Sequence, residues 1–151
     1  MDLSIDLGSV FSDALIEIVS TVTGLKLNVT SDDIDLDFNE ITGLMSISGK
    51  KSGLLFVTAS ENDWRILCTK MTGTDKADVT RDEAEDVACE FVNMTGGNAK
   101  IRLINTENAF EISQPIVVTS ENMKLIAKRK TYVISKTLRC DDVTVKLKIV
   151  F

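Results

Sequence analysis

Apolar positions recur along the chain with two different periods, and the switches between them mark out its elements. Residues 9–22 place Val10, Phe11, Ala14, Leu15, Ile18 and Val22 at helical spacing, with Gly24 following as a helix stop. Ile34, Leu36 and Phe38 alternate with Asp35 and Asp37, which predicts a half-buried strand. Residues 44–48 and 54–58 predict two strands joined by a turn over Gly49-Lys50-Lys51. Ser60 offers a helix N-cap, with Glu61 and Asp63 in the first turn where the helix dipole favours acids. That helix turns Trp64, Leu67, Cys68 and Met71 inward and stops near Gly73. After a polar linker over 74–79, Thr80 and Glu83 make a capping box for a further helix that reaches Gly96-Gly97 or beyond.

The last third returns to strand patterns, at 110–113, 116–119, around 125–133 and at 143–151. In the final one Val143, Val145, Leu147, Ile149 and Phe151 share one side and Thr144, Lys146 and Lys148 the other. Pro115 cannot donate to a strand ladder, so it is expected at a strand start or edge. The order is helix, three strands, two helices, then three or four strands. Strands in hairpin runs with the helices grouped together predict an α+β fold, an antiparallel sheet with helices packed on one face.

A chain of 151 residues is the size of one domain, expected over 1–151, and can bury a sizeable core. The formal charge of -6 argues against nucleic acid or an anionic membrane as partner, since both demand clustered Lys and Arg. Cys68, Cys89 and Cys140 are odd in number and far apart, and histidine is absent. Zinc sites, disulfide frameworks and histidine-based nucleophilic catalysis are all disfavoured by that composition. The acidic N-terminus lacks the basic region of a signal peptide, and no apolar stretch is long enough to span a bilayer. A cytoplasmic protein with reduced thiols is the expectation.

A faint internal echo sharpens the picture. Asp86, Glu90, Asn93 and Gly97 follow D-x3-E-x2-N-x3-G, while Asp13, Glu17, Ser20 and Gly24 follow D-x3-E-x2-S-x3-G, each pair 73 residues apart. Two amphipathic helices ending in glycine can match by chance. The match at the fourth position and the similar strands downstream favour a duplicated helix-plus-three-strand unit with one copy degraded.

On the third helix Ala84, Val87, Ala88 and Phe91 form the apolar stripe. Asp86, Glu90, Asn93 and Gly97 share a face about 160° away, with Met94 beside them. An exposed carboxylate and carboxamide three residues apart can touch one partner group. A plain solvated helix face is the alternative. Glycine inside a helix costs about 1 kcal/mol relative to alanine. A helix continuing past Gly96-Gly97 has therefore accepted instability for a bare surface, whereas one ending there has only a C-cap.

The stretch 86–98, DVACEFVNMTGGN, resembles the signature helix of the CheC/CheX/FliY chemotaxis phosphatases, in which Asp or Ser, Glu, Asn and Gly recur at this spacing. Residues 110–118, FEISQPIVV, are similar to the strand region that follows it in the CheX branch. CheX-type members keep only the second motif helix, which suits the degraded copy at Asp13, Glu17 and Ser20.

The resemblance implies a phosphatase acting on the aspartyl phosphate of a CheY-like response regulator. Asn93 would orient the attacking water and Glu90 would pair with a lysine of the regulator. Asp86, Met94 and Gly97 would belong to the contact surface. No cofactor is expected, because the Mg2+ would sit on the regulator. Positioning is the main demand of phosphoryl transfer, so a carboxamide can serve without a strong base. The resemblance also implies a homodimer joined through sheet edges, and the 143–151 strand, taken as unpaired, is the expected contact. The competing function is a non-catalytic module that docks a response regulator or flagellar motor component.

Overall fold

The computed structural model describes residues 5–33, 36–126, 128–129 and 132–151. The Asp6 carboxylate caps helix α1 (Leu7–Thr23) by accepting from the Ser9 N–H, and Gly24 ends it at φ 77°. Ser60 caps α2 (Glu61–Thr72) through the Asp63 N–H, and Gly73 ends it at φ 76°. Both stops need left-handed backbone, which glycine adopts without a Cβ clash. A 3-10 turn, Lys76–Asp78, leads into α3 (Arg81–Leu103). The Thr80 hydroxyl caps α3, accepting from the Glu83 N–H and donating to the Glu83 carboxylate.

The strands are β1 (Asn28–Asp33), β2 (Ile41–Gly49), β3 (Gly53–Ala59), β4 (Phe110–Ile112), β5 (Ile116–Thr119), β6 (Val133–Cys140) and β7 (Val143–Val150). They form one antiparallel sheet in the order β1-β6-β7-β3-β2-β4, with β5 also pairing β2 beside β4. Matching β1 with β4, β6 with β2 and β7 with β3 makes that order read the same from either end. Each half runs helix, edge strand, inner strand, central strand in chain order, as a duplicated unit requires. The second half carries β5 as an addition.

All three helices lie on one face. Ile41, Met45, Ile47, Leu55, Val57, Val145, Leu147 and Ile149 of the sheet are buried with Phe11, Leu15, Trp64 and Phe91 of the helices. The Trp64 indole N–H donates to the Ile41 carbonyl at 3.0 Å, and its ring centroid lies 5.8 Å from that of Phe91. Helix α3 packs against both α1 and α2 and settles onto β2 at two glycines. A Cβ at Gly43 would meet the Ala88 carbonyl oxygen at 2.4 Å and Val92 Cγ1 at 2.8 Å. A Cβ at Gly96 would meet Met45 Sδ at 2.5 Å. The helix backbone therefore rests almost directly on the strand.

Several sequence expectations are corrected. The strand expected at 34–38 is displaced to β1 at Asn28–Asp33; residues 34 and 35 fall outside the described residues, and Asp37 lies in an isolated β-bridge with Lys124 rather than in a strand. The edge strand β1 is solvent-exposed and polar, so it carries no alternating signal. Phe38 is apolar because its ring packs 4.9 Å from Phe56 on the sheet face away from the helices. The strand expected around 125–133 is β6 at Val133–Cys140, while residues 127, 130 and 131 lie outside the described set. Strand β7 is no free edge: it pairs with β3 on one side and β6 on the other. Lys148, on the polar side of the β7 alternation, is 0% exposed; its ammonium donates to Ser135 Oγ at 3.0 Å and lies 5.7 Å from the centre of the Phe38 ring. No helix among the described residues is long and apolar enough to cross a membrane.

The close seat of α3 on β2 is directly testable. Gly43→Ala forces a methyl against a backbone carbonyl that no rotamer change can move, and should destabilise the protein by about 1–3 kcal/mol. Urea unfolding followed by circular dichroism measures it; an unchanged midpoint would mean that α3 has room to lift.

Candidate functional site

The site is the face of α3 turned away from the sheet. Ala84, Val87, Ala88, Phe91, Val92, Thr95, Gly96, Ala99 and Leu103 are buried, so the packing fixes how the helix is rotated. At 100° per residue Asp86, Glu90, Asn93 and Gly97 then fall within about 60° of arc on the outer side, with Met94 at their border. Asp86 and Glu90 are exposed, whereas Asn93, Met94 and Gly97 are half-buried. The structure thus brings all five expected residues onto one ridge. Glu90 and Asn93, three apart, have Cβ atoms about 5–6 Å from each other.

None of the side-chain hydrogen bonds or ion pairs among the described residues involves Asp86, Glu90 or Asn93. Their neighbours are engaged: Arg81 pairs with Glu85 at 3.2 Å and Lys100 with Glu111 at 2.6 Å. A carboxylate and a carboxamide left without internal partners have their full hydrogen-bonding capacity available to something outside the chain. Burial, then the Glu90 and Asp86 carboxylates, push the Cys89 thiol above its ordinary pKa, so it stays protonated and is no nucleophile at neutral pH. Among the described residues no group of three His, Cys, Asp or Glu side chains could hold a metal ion.

The two adjacent glycines divide the work. The helix continues through both, which settles the sequence-level alternative in favour of an uninterrupted surface. Gly96 faces inward against Met45 and is not part of that surface, contrary to the pairing suggested by the sequence. Gly97 alone is bare outward: a Cβ there would meet nothing within 4 Å. The fold does not require glycine at 97.

The echo on α1 has a different fate. Asp13, Glu17 and Ser20 are exposed. Glu17, unlike Glu90, is tied down: Arg102 of α3 forms an ion pair with its carboxylate, and Asn98 Nδ2 donates to it at 3.4 Å. Arg102 Nε in turn donates to Asn98 Oδ1 at 2.7 Å. The acid of this copy holds α1 against the last turns of α3.

Sequence reasoning ended the ridge at Gly97. The same three-and-four spacing runs on through Ile101 and Ile104, both exposed, and would have extended it. Gly43, which seats the helix, lies in a strand pattern that does not reveal what crosses it.

An alanine at the bare position separates folding from function. Gly97→Ala should raise stability by about 0.5–1 kcal/mol, because the new methyl meets open space and helix propensity improves. Thermal melting checks this; a lowered melting point would mean that Gly97 serves the fold after all.

The comparisons agree with this architecture. Residues 41–137, well over half of the chain and including all of α3, match the family described as Chemotaxis phosphatase CheX. A CheC-like superfamily protein from Shewanella sp. PV-4 superposes with a TM-score of 0.85 at 24% identity, covering 99% of this chain and 98% of that one. The chemotaxis protein CheX from Vibrio vulnificus gives a TM-score of 0.83 at 19% identity, over 99% and 98% of the two chains. The CheX of a CheX–CheY–BeF3–Mg2+ complex from Borrelia burgdorferi gives 0.77 at 17% identity, over 97% and 98%. No curated protein matches this sequence. With the family match covering the motif helix and the whole fold shared with these structures, the chain belongs to the CheX family of chemotaxis proteins.

Proposed function

We propose that this protein hydrolyses the aspartyl phosphate of a CheY-like response regulator docked on the outer ridge of α3, in the cytoplasm where such regulators act. The observation that carries this is the unpartnered Glu90–Asn93 pair beside the bare Gly97 on the helix that the family match covers. Support comes also from the Borrelia burgdorferi structure, in which a CheX is complexed with CheY, BeF3 and Mg2+.

In this mechanism water attacks the phosphorus and the acyl phosphate P–O bond breaks. The products are inorganic phosphate and the regulator's free aspartate. The Asn93 carboxamide can accept from the water and donate to a phosphoryl oxygen at once, which fixes the line of attack without a strong base. Glu90, one turn earlier, pairs with a lysine of the regulator and sets the register. Mg2+ is held by the regulator. Gly97, with no side chain, lets the regulator's backbone come close, and Asp86 and Met94 complete the contact.

The two central residues should fail differently. Asn93→Ala removes an interaction made mainly in the transition state, so kcat should fall about 10²–10³-fold with affinity for the phosphorylated regulator kept. Glu90→Ala should raise KM as well, and its penalty should shrink at high salt. Neither side chain is used by the fold, so each should change stability by less than about 0.5 kcal/mol. Glu17→Ala, on the degraded copy, is the control and should keep full turnover. The measurement is dephosphorylation of a phosphorylated receiver domain alongside thermal melting. If both mutants hydrolyse as fast as the parent, the ridge is not the active site; binding without any turnover by the parent would make the protein a docking module.

The same proposal includes a symmetric homodimer, now through a different edge. With β7 in the centre, the free edges are β1 on one side and β4 with β5 on the other. Strand β1 is guarded by the exposed acid Asp32 and by a register shift between Val29 and Ser31. Strand β5, Ile-Val-Val-Thr, carries no charge and exposes Ile116 at 55%. We infer that β5 is the pairing edge. The Ser120 N–H bonds the Glu40 carbonyl, so by alternation the Val117 N–H points to the open side of β5. Sedimentation at tens of micromolar should give a dimer that Val117→Pro disrupts; a monomeric parent would exclude it.

A further inference from the structure

The ridge that carries Glu90 and Asn93 does not end where its polar residues end. Asp86, Glu90, Asn93, Gly97, Ile101 and Ile104 are spaced by four, three, four, four and three residues, which keeps them on one line along the outer face of α3. The first half of that line is polar and the second half apolar. Ile101 is 73% exposed and Ile104 59%, and Ile101 is the most exposed large apolar side chain among the described residues. Isolated exposed isoleucines are ordinary on a protein surface. Two of them in line with an unpartnered polar pair, Ile101 in the last turn of the helix and Ile104 at its C-cap, are not isolated.

Beside Ile104 the surface dips into an open depression of about 290 Å3 lined by Ser48, Lys100, Ala109, Phe110 and Glu111. The Lys100–Glu111 ion pair at 2.6 Å forms part of this lining. Ile101 itself makes none of the packing contacts of the core.

We propose that Ile101 and Ile104 are the apolar anchor of the docked receiver domain and set its affinity, while Glu90 and Asn93 set register and chemistry. This rests on the phosphatase reading of the same helix. The argument for the occupant is one of reach. A standard protein interface buries about 800 Å2 on each partner, a patch of roughly 16 Å radius. Along a helix rising 1.5 Å per residue, Ile101 lies about 12 Å and Ile104 about 16 Å from Asn93. A receiver domain centred on Asn93 with an ordinary footprint therefore covers Ile101 and reaches Ile104 at its rim. Burying them supplies hydrophobic driving force that the exposed polar half of the ridge lacks, because surface charge pairs contribute little net affinity. The partner surface that fits is an apolar patch about 12–16 Å from its phosphoaspartate, on the side facing the C-terminal end of α3.

The test measures binding apart from turnover. A CheY-like receiver domain loaded with beryllofluoride and Mg2+ is titrated into the full-length chain, and phosphorylated receiver is used for steady-state kinetics. The double variant Ile101→Gln/Ile104→Gln should bind about tenfold more weakly and raise KM to match, with kcat and melting temperature unchanged. Ile101→Leu/Ile104→Leu should restore parental affinity. Asn93→Ala gives the opposite split, with low kcat and kept affinity. If the parent binds and hydrolyses while the Gln variant binds equally well, the anchor is overturned and the phosphatase reading stands. If the parent binds but does not hydrolyse, the phosphatase reading fails, and the Gln variant's affinity still decides the anchor. A Gln variant that binds normally but sediments as a smaller species would assign the two isoleucines to a contact between copies of this chain. A parent that does not bind the loaded receiver overturns both.

Discussion

The backbone of α3 lies against β2 because two residues have no side chain there. At Gly43 a single methyl group would sit 2.4 Å from the Ala88 carbonyl oxygen, and at Gly96 2.5 Å from Met45 Sδ. That contact fixes the distance between helix and sheet and the rotation of the helix about its own axis. Everything on the outer face follows from the rotation. With 100° between successive residues, turning the helix by one position would carry Asn93 toward the sheet or toward α2. The geometry of the candidate site is thus set by close packing on its far side.

The internal duplication sets two similar helices in different surroundings. The sheet order is symmetric about the β3–β7 pair, and each half begins with a helix bearing Asp, Glu and Gly at the same spacing, the glycine capping α1 but lying inside α3. On α3 the glutamate is unpartnered and the asparagine intact. On α1 serine replaces asparagine, and Glu17 is absorbed into a surface cluster with Asn98 and Arg102. An exposed ion pair of that kind adds at most about 1 kcal/mol. Its effect is to tie the two helices together at their solvent-facing sides while the apolar faces pack beneath. The degraded copy has become part of the scaffold that positions the intact one.

A chain without histidine and without a metal-binding cluster among its described residues is chemically plain. What it offers is a carboxamide and a carboxylate held on a rigid helix, a bare point where another backbone can approach, and an apolar run leading away from them. Under the proposed function these would act by orientation, completing a partner's reaction centre rather than supplying a strong base. At Gly97 the fold would accept a methyl group, so under the proposed function stability and docking would pull against each other there.

The sequence by itself determined the three helices, the caps at Ser60, Thr80, Gly24 and Gly73, the β2–β3 hairpin, the alternation of β7 and the residues of the polar ridge. Each of these depends on spacing along the chain: a capping side chain reaches its own first turn, and an amphipathic period states which side is inward. Tertiary structure decided the rest. Strand β1 is polar and exposed, so only its pairing with β6 makes it a strand. Val143–Val150 alternates as an edge strand would, and nothing local says that β3 and β6 flank it. Lys148 reads as a solvent residue by alternation, but its face is covered by Phe38, which arrives from another part of the chain. Gly96 and Gly97 are identical and adjacent in sequence, and they differ because one faces Met45 and the other faces open space. Such properties belong to pairs of residues distant in sequence, and only the folded chain brings the members of each pair together.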